Sequence, residues 1–489
     1  MARPTYFIHY QLFRSRESPP QVRRSRLRLL AVTVLFFAGI VRFSALDRQG
    51  LWDDESFTLR ALGIIAEPMT MAEAAPPLYF MLLRGWVAIV GTSLASVRAF
   101  SALWGTAGVA LVGLFAARAI SPKAGLFAAV LLSLHPFHLA YSQEARPYAM
   151  VFALTTVTIW MAWEERVWLF TLASTALLWT HPWGMFVWLV STGLMVGAFF
   201  QKERHEKLVR LRGWQYLLFC LLPLVSAAPA LWHFSRLSLF GTFWAKPPTV
   251  PFLLSVVKAL AGGHFFVGGW QFSSGWSEGL LVPASVFLWV TGLWGKGTCR
   301  TRQNLLIGLV GLFVAPAIGG WFVPEASAHQ RYWLAVLPVM ILLAARGWNQ
   351  LPWSYQAMLV LVCLAGVSFA AVRYFTRWEK GNVLQAARWV HAQATSGSVL
   401  IVPRYLQPLW KYHDRSGLPL VDEAGIDQLT PVIAQHTQAI LVTMDVPNPV
   451  QDSLDARFRV LERTRFPAEF HLGLVVTSYA NRGGLRTSD

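Results

Sequence analysis

The chain reads as a polytopic α-helical membrane protein of about eleven transmembrane helices, with interfacial helices in the first external loop and a small C-terminal α/β domain. Three observations predict this. Hydrophobic residues make up 55% of the 489 residues and charged residues only 14%, with a mean hydropathy of +0.44; soluble chains of this length seldom look so apolar. Apolar runs close to the ~20 residues that a helix needs to cross hydrocarbon recur along the chain. After about residue 375 the pattern turns to mixed polar and apolar segments.

The elements follow in order. Residues 1–28 carry Arg14, Arg16, Arg23, Arg24, Arg26 and Arg28 and are expected to stay cytoplasmic. The apolar run 29–46 follows them. It lacks a convincing small-x-small cleavage site, and more apolar runs come after it, so it is read as a retained first span and not a signal peptide. Further spans are expected near 96–118, 124–138, 148–163, 167–181, 183–200, 214–232, 278–295, 303–323, 332–347 and 356–375. Together, residues 29–375 form the transmembrane domain, with longer loops at 47–95 and 233–277. Residues 76–90 are apolar but few, and Arg84 interrupts them. If they crossed, the basic loops QKERHEKLVRLR and KGTCRTR would move outside, against the positive-inside rule. They are therefore placed on the outer surface, inside the first external loop.

An odd number of spans puts residues 376–489 outside. In that domain NVLQAARWVHAQA and YLQPLWKYHDR read as helices, and SVLIVP, AILVTMD and GLVVTSY as strands. No internal repeat or low-complexity tract is visible. The net charge is +17. The basic residues are scattered between apolar spans, which fits cytoplasmic loops and argues against nucleic acid as a partner. Cys220, Cys299 and Cys363 suggest neither a disulfide framework nor a metal site.

This topology gathers the unusual segments on one face. The first external loop holds Asp53, Asp54, Glu55, Glu73 and AAPPLYF. HPFHLAYSQEARPYAM (135–150), THPWG (180–184), FWAKPP (243–248) and PEASAHQRYW (324–333) follow. Each alone reads as an ordinary polar interface loop; the set points to a shared site at the span ends.

LWDDESFTLRAL, EAAPPLYFMLLRGW, LHPFHLAYSQEARPYAM, THPWGMF and QRYWLAVLP, in this order, resemble the bacterial family 39-like glycosyltransferases of the GT-C superfamily. Protein O-mannosyltransferases and the lipid A aminoarabinose transferase are similar. The resemblance covers about residues 29–375 and extends more weakly into the C-terminal domain. It implies a GT-C fold in a bacterial inner membrane. It also implies transfer of a sugar from a polyprenyl-phosphate carrier, such as undecaprenyl phosphate, to a protein, lipid or glycan outside. Such a donor has a good leaving group. The acceptor hydroxyl needs a base, the departing phosphate needs cations, and a single displacement inverts the anomeric centre.

The resemblance also assigns residues. Asp54 matches the general base and Glu55 its neighbour, orienting the acceptor or a metal; Asp53 is a secondary acid. Adjacent carboxylates would raise one pKa, which suits a base. Glu73 is a further site acid. Ala75 stands where the family often has His before Pro76-Pro77, which puts any role of that His in doubt. Arg146, held by Glu144, and Arg331 are candidate phosphate ligands, and Lys246 is a third. Tyr148, His181 and Tyr332 are expected to touch sugar or phosphate, and Trp52 and Trp183 can stack on a sugar ring. Arg146 and Arg331 would equally suit a structural ion pair and a headgroup-seeking span end. His135 and His138 share a helix face but show no further metal ligand. No cofactor is demanded; a divalent cation on the acids stays open. A flippase for lipid-linked sugars would share the spans, aromatics and arginines, but would show charges mid-span and paired broken helices. A non-catalytic scaffold could dispense with the acids altogether.

Overall fold

The computed structural model describes residues 20–65, 76–203, 209–238, 247–267, 270–295, 299–322, 329–377, 383–404, 406–423, 426–444, 448–466 and 474–480. Its helices turn apolar residues outward as well as inward. On Pro20–Phe43, Leu29, Val32, Phe36 and Ile40 are exposed at spacings of three and four while Ala38 is buried. On Thr301–Phe322 the exposed stripe is Leu306, Val310, Val314 and Ile318, with Leu312 buried. Such surfaces are stable against lipid tails, and the helix satisfies its own backbone there.

The expectation of about eleven spans is corrected. Among the described residues five helices are long and apolar enough to cross a membrane: Leu94–Ala119, Gly275–Trp294, Thr301–Phe322, Gln330–Gln350 and Trp353–Thr376. A sixth is possible if the pair Pro122–Ser133 and Pro136–Ser142, bent by 65°, counts as one span. The other apolar runs fall short for physical reasons. Tyr148–Trp163 has 16 residues and Val167–Leu178 has 12; at about 1.5 Å per residue neither reaches across a ~30 Å core. In Pro20–Phe43 every 18-residue stretch contains at least three arginines. The parity argument that placed the C-terminal domain outside falls with the count.

The bend follows from sequence. Pro136 cannot donate a backbone hydrogen bond and disfavours helix at His135, so the chain turns there. The turn frees the last carbonyls of Pro122–Ser133. Arg42 donates to two of them, Ser133 O at 2.9 Å and Leu132 O at 3.1 Å. Gln143 donates in return to the carbonyls of Val41, Arg42 and Ser44 at 2.8–3.2 Å, closing the end of the first helix. The end of Pro122–Ser133 is buried, and there a side chain supplies the donors that water cannot.

Residues 76–90 form the 13-residue helix Leu78–Val90, which ends at Gly91 with φ +97°. It lies on Leu94–Ala119, with the Tyr79 hydroxyl 2.9 Å from Ser101 Oγ and Trp86 Nε1 donating to Ser96 O at 2.9 Å.

A short antiparallel hairpin, β1 (Phe265–Val267) and β2 (Trp270–Phe272), sits in the helical part. The C-terminal domain is built on five strands: β3 (Ser398–Val402), β4 (Leu420–Asp422), β5 (Gln438–Met444), β6 (Arg459–Phe466) and β7 (Leu474–Ala480). Their order is β4-β3-β5-β7-β6. β3 runs parallel to β4 and β5, and β7 antiparallel to β5 and β6. β3, β5 and β7 are the strands expected from sequence, and the helices Val383–Gln393 and Gln407–His413 fall on the expected segments.

Candidate active site

Trp52 is extended (φ −121°, ψ 171°) and starts the helix Asp53–Ala61. Asp53, Asp54 and Glu55 therefore fill its first turn. Unpaired N–H groups and the positive end of the helix dipole favour negative charge there, so the run of acids has a local reason before any catalytic one.

The two acids whose side chains are described part company. Glu55 is fully buried. Arg98, the fifth residue of Leu94–Ala119, grips it with Nε on Oε1 at 2.8 Å and Nη2 on Oε2 at 2.5 Å. The Ala145 N–H also donates to Oε1 at 2.8 Å. Arg98 further donates to the carbonyls of Leu46, Gln49 and Gly50 at 2.7–2.9 Å. Glu55 thus anchors the acid helix, and its oxygens are taken up by three donors.

The segment 143–146 is the dock for that helix. Besides the Ala145 N–H, Thr58 Oγ1 donates to Ala145 O at 2.7 Å and Arg146 Nη1 donates to Asp54 O at 3.1 Å, while Ser101 Oγ donates to Arg146 O at 3.1 Å and ties the segment to Leu94–Ala119.

Asp54 faces the other way. Its Oδ2 accepts from Arg331 Nη1 in a close ion pair. The Arg331 guanidinium lies 5.6 Å from the Tyr148 ring centre, 5.7 Å from Tyr332 and 5.9 Å from Trp52. Arg146 lies 6.0 Å from Tyr148. The His181 ring is 5.2 Å from Tyr332 and 5.8 Å from Tyr148, and His329 is 5.5 Å from Tyr332. Two arginines and one described carboxylate therefore meet inside an aromatic wall. Among the described residues, the buried Nε donors of both Arg146 and Arg331, and the indole N–H of Trp52 and of Trp183, have no hydrogen-bond partner.

The arginines set the electrostatics of Asp54. Burial pushes the Asp54 carboxyl up, but Arg331 first and then Arg146 outweigh it and hold it below its ordinary value of 3.8. Asp54 is a carboxylate kept ionised, and not an acid tuned upward. Burial, followed by the nearby arginines, pushes His181 and His329 down to about 3. Both are neutral at pH 7, so the positive charge of the site belongs to the arginines.

Asp54, Arg146, Tyr148, His181, Arg331 and Tyr332 come together, and Glu55 stands behind them. Glu73 and Lys246 lie outside the described residues, as does the side chain of Asp53. His135 and His138 are elsewhere: His138 Nδ1 accepts from Arg42 at 2.8 Å, and His135 Nε2 pairs with Leu260 O at 3.2 Å. Among the described residues no three His, Cys, Asp or Glu side chains group as a metal site. Asp54 and Glu55 do not fit a divalent cation as they stand, because guanidinium groups already neutralise both. Sequence reasoning missed Arg98, although a lone arginine in an apolar span is a signal. It also missed His329, two residues before Arg331.

No protein-family model and no curated protein matches the sequence. Solved structures do match the fold. ArnT from Cupriavidus metallidurans in the apo state aligns with a TM-score of 0.59 at 14% identity, over 93% of this chain and 98% of that one. The same protein bound to undecaprenyl phosphate aligns with a TM-score of 0.58 at 14% identity, over 94% and 98%. An oligosaccharyltransferase of Archaeoglobus fulgidus aligns more loosely, at 13% identity and a TM-score of 0.46, over 93% of this chain and 74% of that one. The chain therefore shares its fold with ArnT.

Proposed function

We propose that the chain is a membrane glycosyltransferase that moves a hexose or pentose from a polyprenyl-phosphate carrier to a hydroxyl of a protein, lipid or glycan. The observation that carries this reading is the convergence of Arg146 and Arg331 on Asp54, with two buried guanidinium N–H donors unpartnered among the described residues. A phosphate monoanion or dianion answers that donor set, since planar guanidinium forks match its oxygens. That the fold is shared with a protein crystallised with undecaprenyl phosphate supports the same ligand class.

In this mechanism Arg146 and Arg331 bind the donor phosphate, and Tyr148, Tyr332 and His181 wall the sugar. Neutral His181 offers a hydrogen bond without adding charge. Asp54 accepts the proton of the acceptor hydroxyl as its oxygen attacks the anomeric carbon. The bond from that carbon to the phosphate oxygen breaks, and the electron pair leaves with the phosphate, whose growing charge the arginines take up. A weak base suffices because the leaving group is good. Arg331 serves both ends, so donor binding draws it toward phosphate and loosens its hold on Asp54.

Purified protein incubated with a panel of radiolabelled polyprenyl-phosphate sugars is expected to transfer one of them. Arg331→Lys keeps the charge but loses the fork, and should raise the donor KM about tenfold, of the order that one charge-assisted hydrogen bond carries. Turnover of no donor on the panel, or an unchanged KM in R331K, argues against the assignment.

In this reading the reaction and the C-terminal domain share the extracytoplasmic side, as the sequence resemblance implies. The contact of the C-terminal domain with Leu51, at the start of the acid helix, supports their lying on one side of the helical body. In a cysteine-free background, Thr430→Cys should react with an impermeant thiol reagent added outside intact cells. Labelling from the cytoplasmic side alone overturns this orientation.

A further inference from the structure

The loop into the acid helix is held from two directions. On the membrane side Arg98 takes the carbonyls of Leu46, Gln49 and Gly50. On the other side His413, the last residue of the C-terminal-domain helix Gln407–His413, receives the next backbone group: the Leu51 N–H donates to its Nε2 at 2.9 Å. Leu51 and Trp52 are 1% and 3% exposed, so water is a poor substitute partner there. Trp52 is the residue on which the helix starts, and Asp54 is its second residue. The bond requires an imidazole with a free ring nitrogen. Burial first, then Arg98 and Arg415, hold His413 neutral by pushing it down to about 4.

We infer that the C-terminal domain is a working part of the catalytic site: through His413 Nε2 and the Leu51 N–H it sets the start of the acid helix and so the placement of Asp54. His413 is then a positioning residue, which acts on the reaction through Leu51 and touches no substrate. This rests on the glycosyltransferase reading only for its effect on rate; the docking itself does not. Two properties follow. Losing the bond misplaces the base while the phosphate ligands, Arg146 and Arg331, stay where other elements hold them. The C-terminal domain is also the part of the chain through which an event outside the membrane, such as acceptor docking, can reach Asp54.

The test uses full-length protein with His413→Ala and His413→Gln, the second keeping an acceptor at similar reach. Two quantities are read: the kinetic constants for the donor, and hydrogen exchange of the Leu51 amide. His413→Ala is expected to lower kcat by about 10–100-fold, the scale of a small misplacement at a reacting centre, with the donor KM unchanged. The Leu51 amide should exchange faster. His413→Gln should restore both. A merely structural histidine would reduce the amount of folded protein and leave kcat per folded molecule alone. Unchanged Leu51 exchange in His413→Ala overturns the inference whatever the activity does. Faster exchange with kcat intact overturns the link to Asp54. If the wild-type protein transfers no sugar, the glycosyltransferase reading and the link to Asp54 fall together, while faster exchange in His413→Ala still upholds the docking.

Discussion

Asp54→Asn lowers kcat for sugar transfer by about 10²–10⁴-fold, the usual contribution of a positioned general base, and leaves folding and membrane insertion intact. The amide oxygen of Asn can still accept from Arg331, so the helix start keeps its shape. What is lost is the group that receives the proton. The donor KM should not rise, because the change frees Arg331 for phosphate and removes a negative charge beside it. A pH profile separates this base from others. The Arg331 and Arg146 charges hold the Asp54 carboxyl below 3.8. The wild-type kcat/KM, which reports the free enzyme, should therefore show no acid limb above about pH 4, near the ordinary carboxylate value. The linked stability has the same sign. The Asp54–Arg331 attraction contributes fully above the unfolded carboxyl pKa and is lost as pH falls through the lower folded one. Wild-type kcat in well-folded D54N, or an acid limb centred near pH 6, would mean that another group takes the proton.

The second large effect concerns stability. Arg98→Ala leaves Glu55 buried and charged without its guanidinium, and takes the donor from three backbone carbonyls. Breaking a buried pair from one side costs about 3–5 kcal/mol, a large part of the ~5–15 kcal/mol that holds a typical fold. Thermal unfolding in detergent should show a much lower midpoint for R98A. Removing Glu55 as well should recover only part of the loss, since the carbonyls of Leu46, Gln49 and Gly50 stay unpaired. R98A melting with the wild type, or complete recovery in the double variant, would refute this account.

Much of the site was legible because its residues lie in short polar segments between apolar runs. Asp54, Arg146, His181 and Arg331 could be collected on one face from such segments, and the structure brings them within one aromatic wall. Glu55 was not separable from Asp54 by sequence, since adjacent helix residues point in different directions and only the fold shows which faces Arg98. The lowered Asp54 pKa was not legible for a related reason: neighbouring acids are visible in sequence, but the arginines that outweigh burial come from residues 146 and 331. The number of spans was misread because apolar letters were counted where helix length decides. Pro136 splits one run, and Tyr148–Trp163 stops too soon. In the C-terminal domain the buried strands β3, β5 and β7 declared themselves. β6 did not, since its residues are mostly exposed and rich in arginine, as a protected sheet edge is. β4 is only three residues long.

The exchange of caps between Arg42 and Gln143 bears on how such a chain can change over time. Arg42 closes the bent helix, and Gln143 closes the helix that carries Arg42. Straightening the bend alone would strand a guanidinium in an apolar interior, and losing Arg42 alone would strand two carbonyls there. Single substitutions at either place are therefore penalised, and the two features tend to persist or disappear together. Gln143 belongs to the same short segment that docks the acid helix. Drift in the buried packing is thereby tied to the placement of Asp54, and the permissive routes are paired replacements that keep both ends capped.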